Sequence, residues 1–226
     1  MSDRGQETEA KFYVLHLDQI TTRLHELQAR LIQSRVLETN LRFDLPDASL
    51  HSTGRVLRLR RDTKARLTYK GAGQNKSGVL DRQEIEFVVD DFEKARQFLE
   101  ALGYRQTMVY EKYRTTYVVE SDSSLSEEQK HTLTGTQASG IHNCQIMLDE
   151  LPYGDFVEIE GETEEQIRSV AAKLNLDWDA AIETSYTGLF ENVKKALELP
   201  FQELLFENFE GIKVTSNHLN VRAADE

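Results

Sequence analysis

ETEAK, residues 7–11, sets two carboxylates and an ammonium at alternate positions with small residues between them. Successive side chains of a strand point to opposite faces, so Glu7, Glu9 and Lys11 would share one side, with Thr8, Ala10 and Phe12 on the other. The same division recurs downstream. RVLRLRR (55–61) sets Arg58 and Arg60 against Leu57 and Leu59, and ARLTYKG (65–71) sets Arg66, Thr68 and Lys70 against Leu67 and Tyr69. DRQEIEFVV (81–89) puts Arg82, Glu84 and Glu86 opposite Ile85 and Phe87. YEKYRTTY (110–117) groups Lys112 with Arg114, and DFVEIEG (155–161) groups Glu158 with Glu160, opposite Val157 and Ile159.

Working outward from these stretches, the alternation predicts eight short strands at 7–15, 36–44, 55–61, 65–71, 81–89, 108–119, 144–148 and 155–160. Helices are predicted between them. Residues 18–32 carry Ile20, Leu24, Leu27 and Leu31 at helical spacing, and 91–102 carry an apolar stripe that stops at Gly103. A third helix opens on the capping pattern Thr163-Glu-Glu-Gln166 and runs to about residue 174. Beyond Trp178 the pattern is helical again, with Ile182, Tyr186, Leu189, Phe190 and Val193 on one side. The expected organisation is one main domain, 1–190, followed by a helical extension and polar tail, 191–226.

The charged face has two readings. An antiparallel sheet with one face on a helical core and the other in water shows the same alternation. Two features favour the second, in which the sheet curls into a closed barrel with its charges inside. Charged pairs recur at i, i+2 in several separate strands, and the bases are mostly Arg, whose fixed fork suits phosphate and carboxylate oxygens. Buried carboxylates at strand spacing then require a cation, and oxygen-only ligands select Mg²⁺ or Mn²⁺ over zinc. The inward Arg and Lys require an anion. A polyphosphate carrying a divalent metal satisfies both halves.

The bulk properties narrow the partners. The chain of 226 residues has 27 basic and 39 acidic residues, a formal charge of −12, which argues against neutralising double-stranded nucleic acid or an anionic membrane. Cys144 is the single cysteine, so no intrachain disulfide forms, as suits a reducing cytoplasm. No run approaches the roughly 18 apolar residues of a membrane span, and the first ten residues have no apolar signal core. The expectation is a cytoplasmic protein. GAGQNKSG (71–78) resembles a P-loop at Lys76-Ser77 but lacks the glycine before the lysine and a following helix. The polar stretch 120–140 reads as a solvated connection, with a lid over the site as the other reading.

Taken in order, Glu7-x-Glu9-x-Lys11, FDLPDASLHSTGRVLRLRRD (43–62) with LTYKG (67–71), RQEIEF (82–87), YEKYRTTY and LDELPYGDFVEIEG (148–161) resemble the CYTH superfamily of triphosphate tunnel metalloenzymes over about residues 6–190. That resemblance implies an α+β fold, an eight-stranded antiparallel closed β-barrel with helices outside, holding a linear triphosphate and divalent metal. It implies Glu7, Glu9, Asp149, Glu158 and Glu160 as metal ligands. Lys11, Arg58, Arg60, Lys70 and Arg114 become phosphate contacts, with Arg82 and Lys112 as additions. Glu84 and Glu86 fall in the family's acidic fifth strand and join Glu7, Glu9 and Lys11 as catalytic candidates.

The implied function is divalent-metal-dependent hydrolysis of a small-molecule triphosphate: inorganic triphosphate, thiamine triphosphate or a nucleoside triphosphate. Two alternatives stand beside it: a class IV adenylyl cyclase making cyclic AMP and pyrophosphate from ATP, which LDELPYGDFVEIEG resembles, and a non-enzymatic polyphosphate or nucleotide binder. Some inorganic triphosphatases of the family pair the motif lysine with a tyrosine after the first strand, and this chain has no tyrosine between Tyr13 and Tyr69. Other groups read as structural. The six histidines show no metal-ligand spacing, Ser185 lacks a Gly-x-Ser-x-Gly elbow and reads as a helix cap, and Cys144 reads as a buried filler. Phe206 and Phe209 read either as cover for an apolar patch or as a homodimer contact.

Overall fold

The computed structural model describes residues 6–76, 78–121 and 142–226, with backbone alone at 6, 7, 75, 76, 120, 121 and 142. The connection at 120–140 therefore falls almost wholly outside the described residues. In chain order the elements are β1 (Gln6–Val14), α1 (Leu17–Glu26), β2 (Arg30–Asp44), α2 (Ser49–Ser52), β3 (Val56–Arg61), β4 (Ala65–Lys70), β5 (Gln74–Lys76), β6 (Val79–Val89), α3 (Phe92–Ala101), β7 (Arg105–Ser121), β8 (His142–Leu151), β9 (Gly154–Glu160), α4 (Glu164–Lys173), α5 (Tyr186–Leu197) and α6 (Ser216–Leu219).

Eight strands pair antiparallel in the order β1-β9-β8-β7-β2-β3-β4-β6, and β6 returns to β1 through Gln6↔Gln83 to Glu9↔Leu80. The sheet thus closes into the ring that the family resemblance implies, with β5 as a short ninth strand on β6. β2 and β7 are the long strands, and register shifts near Leu31, Gln33 and Arg42 bend their ladder as closure requires.

Closure puts the apolar faces outside, against helices. Ile20 and Leu24 of α1 and Ile167, Val170 and Ala171 of α4 bury themselves on Phe12, Ile146, Leu148, Val157 and Ile159. On the opposite wall Leu99 of α3 covers Leu41, Leu57 and Leu59. A third cluster, with Tyr13, Tyr153, Phe156, Tyr186, Phe190 and Phe209, closes one end of the ring beneath α5. Each fully buried aromatic or aliphatic side chain of this kind contributes about 1.5–3 kcal/mol relative to exposure. Among the described residues no helix is long and apolar enough to cross a membrane.

Several elements differ from the sequence pattern. The helix predicted to residue 32 stops at Glu26. Gln28 takes a left-handed φ of 55°, its N–H reaching His25 O while Ala29 N–H reaches Leu24 O, and from Arg30 the backbone pairs with β7. Leu31, which extended the helical spacing, is 48% exposed. The segment after Trp178 begins as a short 3₁₀ turn, and Ile182 is not on a helix: its N–H donates to Lys11 O beside a Phe12↔Ala181 bridge. Ser185 caps α5 through Gly188 N–H, and Cys144 is buried, both as the sequence reads them. Phe209 is packed on Tyr153, Phe190 and Phe201, and Phe206 on Tyr113, so both rings cover apolar surface within the chain.

The last residues, polar in the sequence, hold β1. Ala224 N–H donates to Tyr13 O at 2.9 Å, and the Asp225 carboxylate accepts from Leu15 N–H at 2.9 Å and His16 N–H at 2.8 Å, satisfying donors at the entry to α1. Asp225→Ala is expected to destabilise the protein by about 1 kcal/mol, lowering Tm by about 2–4 °C. A differential scanning calorimetry trace unchanged by the substitution would show that this cap contributes nothing.

Candidate functional site

The ring encloses a cavity of about 1390 Å³ into which the charged faces point. Glu9, Lys11, Arg58, Arg60, Lys70, Arg82, Glu84, Glu86, Lys112, Arg114, Glu158 and Glu160 all line it, brought together from six strands distant in sequence. Asp149 does not. It has no exposed surface and lies on the inward face of β8 covered by its partners, where it accepts from Lys112 Nζ at 2.8 Å, Arg114 Nε at 2.6 Å and Tyr186 Oη at 2.8 Å. Glu7 lies on β1 opposite Arg82, and its side chain is outside the described residues.

Strand register dictates the pairing of charges. Opposite signs stand directly across from one another at Lys11↔Glu158, Glu38↔Lys112, Arg114↔Asp149 and Lys70↔Glu84. Lys11 Nζ is 3.1 Å from Glu158 Oε1, and Lys70 Nζ is 3.1 Å from Glu84 Oε2. Arg114 also holds Glu158 in a short contact. Glu86 accepts from Thr68 Oγ1 at 2.8 Å and meets Arg60 at 3.3 Å and Arg58 at 3.6 Å, so it serves the basic wall.

Among the described residues lining the cavity, like charges face one another at three places. Glu9 is opposite Glu160 on the β1–β9 wall, while Arg42 is opposite Arg58 and Arg60 opposite Arg66 on the β2–β3–β4 wall. Such pairs destabilise a sheet unless something of the other sign lies between or beside them. Glu9 is also 3.4 Å from Arg82 Nη2.

These surroundings favour the charged forms of Lys11, Glu158 and Arg114. Burial alone would lower the Lys11 pKa, but Glu158 and Glu9 raise it. Glu158, which burial would push up, is held well below the usual carboxylate range by Lys11 and Arg114. Arg114 is raised well above its ordinary value by Asp149 and Glu158 against the effect of burial. Lys11, Glu158 and Arg114 are thus held in their charged forms, suited to a charged ligand and to stabilising charge that develops on it.

The donors on the β1–β9 wall are carboxylate oxygens, which fit Mg²⁺ or Mn²⁺. Among the described residues no three Asp, Glu, His or Cys groups converge into a ready-made cage. The facing pair Glu9 and Glu160 has the chemistry for a hard divalent cation, and Glu7 belongs to the same strand face two residues from Glu9.

Comparison with known proteins bears on this geometry. The model of the CYTH domain family matches residues 5–183. A protein of Methanocaldococcus jannaschii described as a candidate adenylate cyclase is 26% identical over 185 residues, 81% of this chain and 97% of its own. A solved structure of a candidate adenylate cyclase from Vibrio parahaemolyticus superposes with a TM-score of 0.65 at 18% identity, covering 83% of this chain and 99% of that one. A candidate adenylyl cyclase from Hippeastrum, described as having a dominant triphosphatase activity, superposes with a TM-score of 0.50 at 18% identity over 96% of this chain and 100% of its own. These two structures share the fold.

The sequence reading passes over one inward stripe: Glu38, Asn40 and Arg42 on β2. Their i, i+2 spacing carries the same signal as the other strands, but one acid, one amide and one base do not stand out as a charged pair. Tyr110 also lines the cavity, and a lone tyrosine carries no pattern; Tyr186, which the sequence places on an apolar helical face, lines it with its ring 4.4 Å from Lys11 Nζ. Glu38 is buried 3.4 Å from Arg60 Nη1 and 3.7 Å from Lys112 Nζ. Burial would raise its pKa, but Lys112, Arg114, Arg60 and Arg58 bring it down to about 2. A carboxyl depressed on folding stabilises the protein above its unfolded pKa and loses that contribution as pH falls through the folded value. Glu38→Gln is therefore expected to destabilise by on the order of 3 kcal/mol at pH 7, with the difference from wild type shrinking by roughly half near pH 3. Urea unfolding at both pH values measures this, and a pH-independent difference would contradict it.

Proposed function

The chain belongs to the CYTH family, which comprises adenylyl cyclases and triphosphatases, and from that premise we propose that it hydrolyses a small-molecule triphosphate inside the ring with Mg²⁺ or Mn²⁺ bound. The observation that carries this is the separation of like charges, with facing acids on the β1–β9 wall and facing arginines on the β2–β3–β4 wall of one cavity. A cation on the first wall and a phosphate chain between the two neutralise both.

In this scheme Glu7, Glu9 and Glu160 hold the cation, with Glu158 beside them. When bound, the cation supplies positive charge against the oxygens of the phosphate chain. Lys11, Arg58, Arg60, Lys70, Arg82, Lys112 and Arg114 bind and orient those oxygens. Asp149 fixes Lys112 and Arg114, while Glu84 and Glu86 fix Lys70 and the arginine pair. The transferred phosphoryl group needs little covalent help, so positioning and preorganised charge contribute most of the rate as water attacks the terminal phosphorus.

The M. jannaschii relative, described as a candidate adenylate cyclase, favours a second reading, conversion of ATP to cyclic AMP and pyrophosphate in the same cavity. The purified protein separates the two when incubated with inorganic triphosphate or ATP and Mg²⁺ or Mn²⁺. Phosphate release that stops on chelation is expected. Cyclic AMP would establish the second reading, and tight binding without product would reject both. Glu9→Ala is expected to lower kcat/KM at least about 100-fold. Turnover surviving that change at ordinary metal concentrations would rule out the acidic wall as the metal site.

A further inference from the structure

Tyr186, the first residue of α5, lines the cavity where the charged belt meets the apolar end of the ring. The centroid of its aromatic ring lies 4.4 Å from Lys11 Nζ and 5.1 Å from Lys112 Nζ. Those lysines belong to β1 and β7, which β9 and β8 separate, so no ladder between their own strands sets where one ammonium lies relative to the other. A side chain supplied from outside the sheet meets both. It is itself held at three points. Tyr186 Oη donates to Asp149 Oδ2 at 2.8 Å, the Tyr186 carbonyl accepts from Tyr153 Oη at 2.8 Å, and its ring packs edge-on against Phe156 at 5.1 Å between centroids. Ser185 fixes the turn that presents it, its hydroxyl accepting from Gly188 N–H at 3.2 Å.

We propose that Tyr186 is a positioning residue for phosphate binding, its ring holding Lys11 and Lys112 as one cationic pair directed at the phosphate chain, an inference that rests on the hydrolytic function proposed above. The hydroxyl, bonded to Asp149, sets the angle of the ring. The ring acts on the lysines.

The reason lies in what else competes for the two ammonium groups. Lys11 Nζ is 3.1 Å from Glu158 and Lys112 Nζ 2.8 Å from Asp149, so each flexible lysine has an acid on which to fold back, away from a ligand. An ammonium carries three donors, and the negative face of an aromatic ring attracts it from a direction that no carboxylate occupies. One donor stays on the acid while the ring keeps the nitrogen in the cavity wall with a donor left for a phosphate oxygen. An aliphatic side chain in place of Tyr186 would pack against Phe156 and leave each lysine to its own carboxylate.

The test compares Tyr186→Phe, which keeps the ring, with Tyr186→Leu, which keeps apolar bulk and removes it, in hydrolysis of inorganic triphosphate with Mg²⁺. Tyr186→Leu is expected to raise KM by about tenfold or more, the loss of two cation–π contacts. Its kcat should stay within about threefold, and Tyr186→Phe should keep both constants within about threefold of wild type. Titration calorimetry with inorganic triphosphate in EDTA should rank the three proteins in the same order, because the lysine contacts form without metal. In proton–carbon NMR spectra two lysine ε-methylene signals of wild type and Tyr186→Phe should lie upfield of the others, displaced by the ring current, and rejoin them in Tyr186→Leu. A purely structural role would lower the Tm of Tyr186→Leu and leave KM in place. Unchanged KM in Tyr186→Leu, or a Tyr186→Phe protein as impaired as Tyr186→Leu, overturns the role of the ring. If Tyr186→Leu does not fold, a wild-type spectrum without the two displaced signals overturns it alone. A wild type that binds triphosphate and releases no phosphate overturns the hydrolytic function and leaves the lysine pair standing; one that binds none overturns both.

Discussion

A circuit of alternating charges runs round the inside of the ring, and the fold depends on it. From Lys11 it passes to Glu158, Arg114, Asp149, Lys112, Glu38, Arg60, Glu86 and Arg58, and a separate pair of Arg82 on β6 with Glu9 joins the last strand to β1. Lys70 and Arg66 attach β4 through Glu84 and Glu86. Every strand of the closed ring is held by at least one member. Removing one partner of a buried pair typically destabilises by about 3–5 kcal/mol, because the other charge is left desolvated. The circuit therefore constrains register as firmly as the outer apolar faces do, since a slip of one residue would turn every inward charge into the helices.

The charged face of the ring was legible in the sequence because its signal is local. Glu9 and Lys11, or Arg58 and Arg60, reveal a shared face within three residues. What the sequence does not carry locally was misread or missed. Leu27 and Leu31 continued the spacing of α1 although Gln28 had already turned the chain left-handed, and the competing ladder with β7 lies some ninety residues away. The partners of Asp149 are likewise not local: Arg114 and Lys112 of β7 and Tyr186 of α5 cover its carboxylate, which spacing along β8 does not express. Glu38 and Asn40 were legible in principle and overlooked because their stripe mixes an acid, an amide and a base.

The apolar end of the ring is tied to the charged belt through one helix terminus. Tyr186 stands at the first position of α5, its backbone carbonyl held by Tyr153, its hydroxyl by Asp149 and its ring against Lys11 and Lys112. One side chain thus connects the first strand, the eighth strand and the helix that closes the end. Leu204 continues the same seam, exchanging backbone hydrogen bonds with Val109 and Glu111 where β7 has no β8 partner. The segments after residue 181 thus extend the wall along β7 past the end of its pairing with β8.

The interruptions in the charge circuit matter as much as the circuit itself. Glu9 opposite Glu160 and Arg42 opposite Arg58 are placements that a sheet under selection for stability alone would exchange for opposite signs, as it does at Lys11 and Glu158. Arg82 beside Glu9 and Glu86 beside Arg58 offset part of that repulsion, and any ligand that binds the folded ring alone stabilises it further by mass action. A metal-bearing polyanion, under the proposed function, brings both signs to the two walls of the cavity. Under the proposed function, the same preorganised repulsion that weakens the empty ring is what makes its charges available to the transition state.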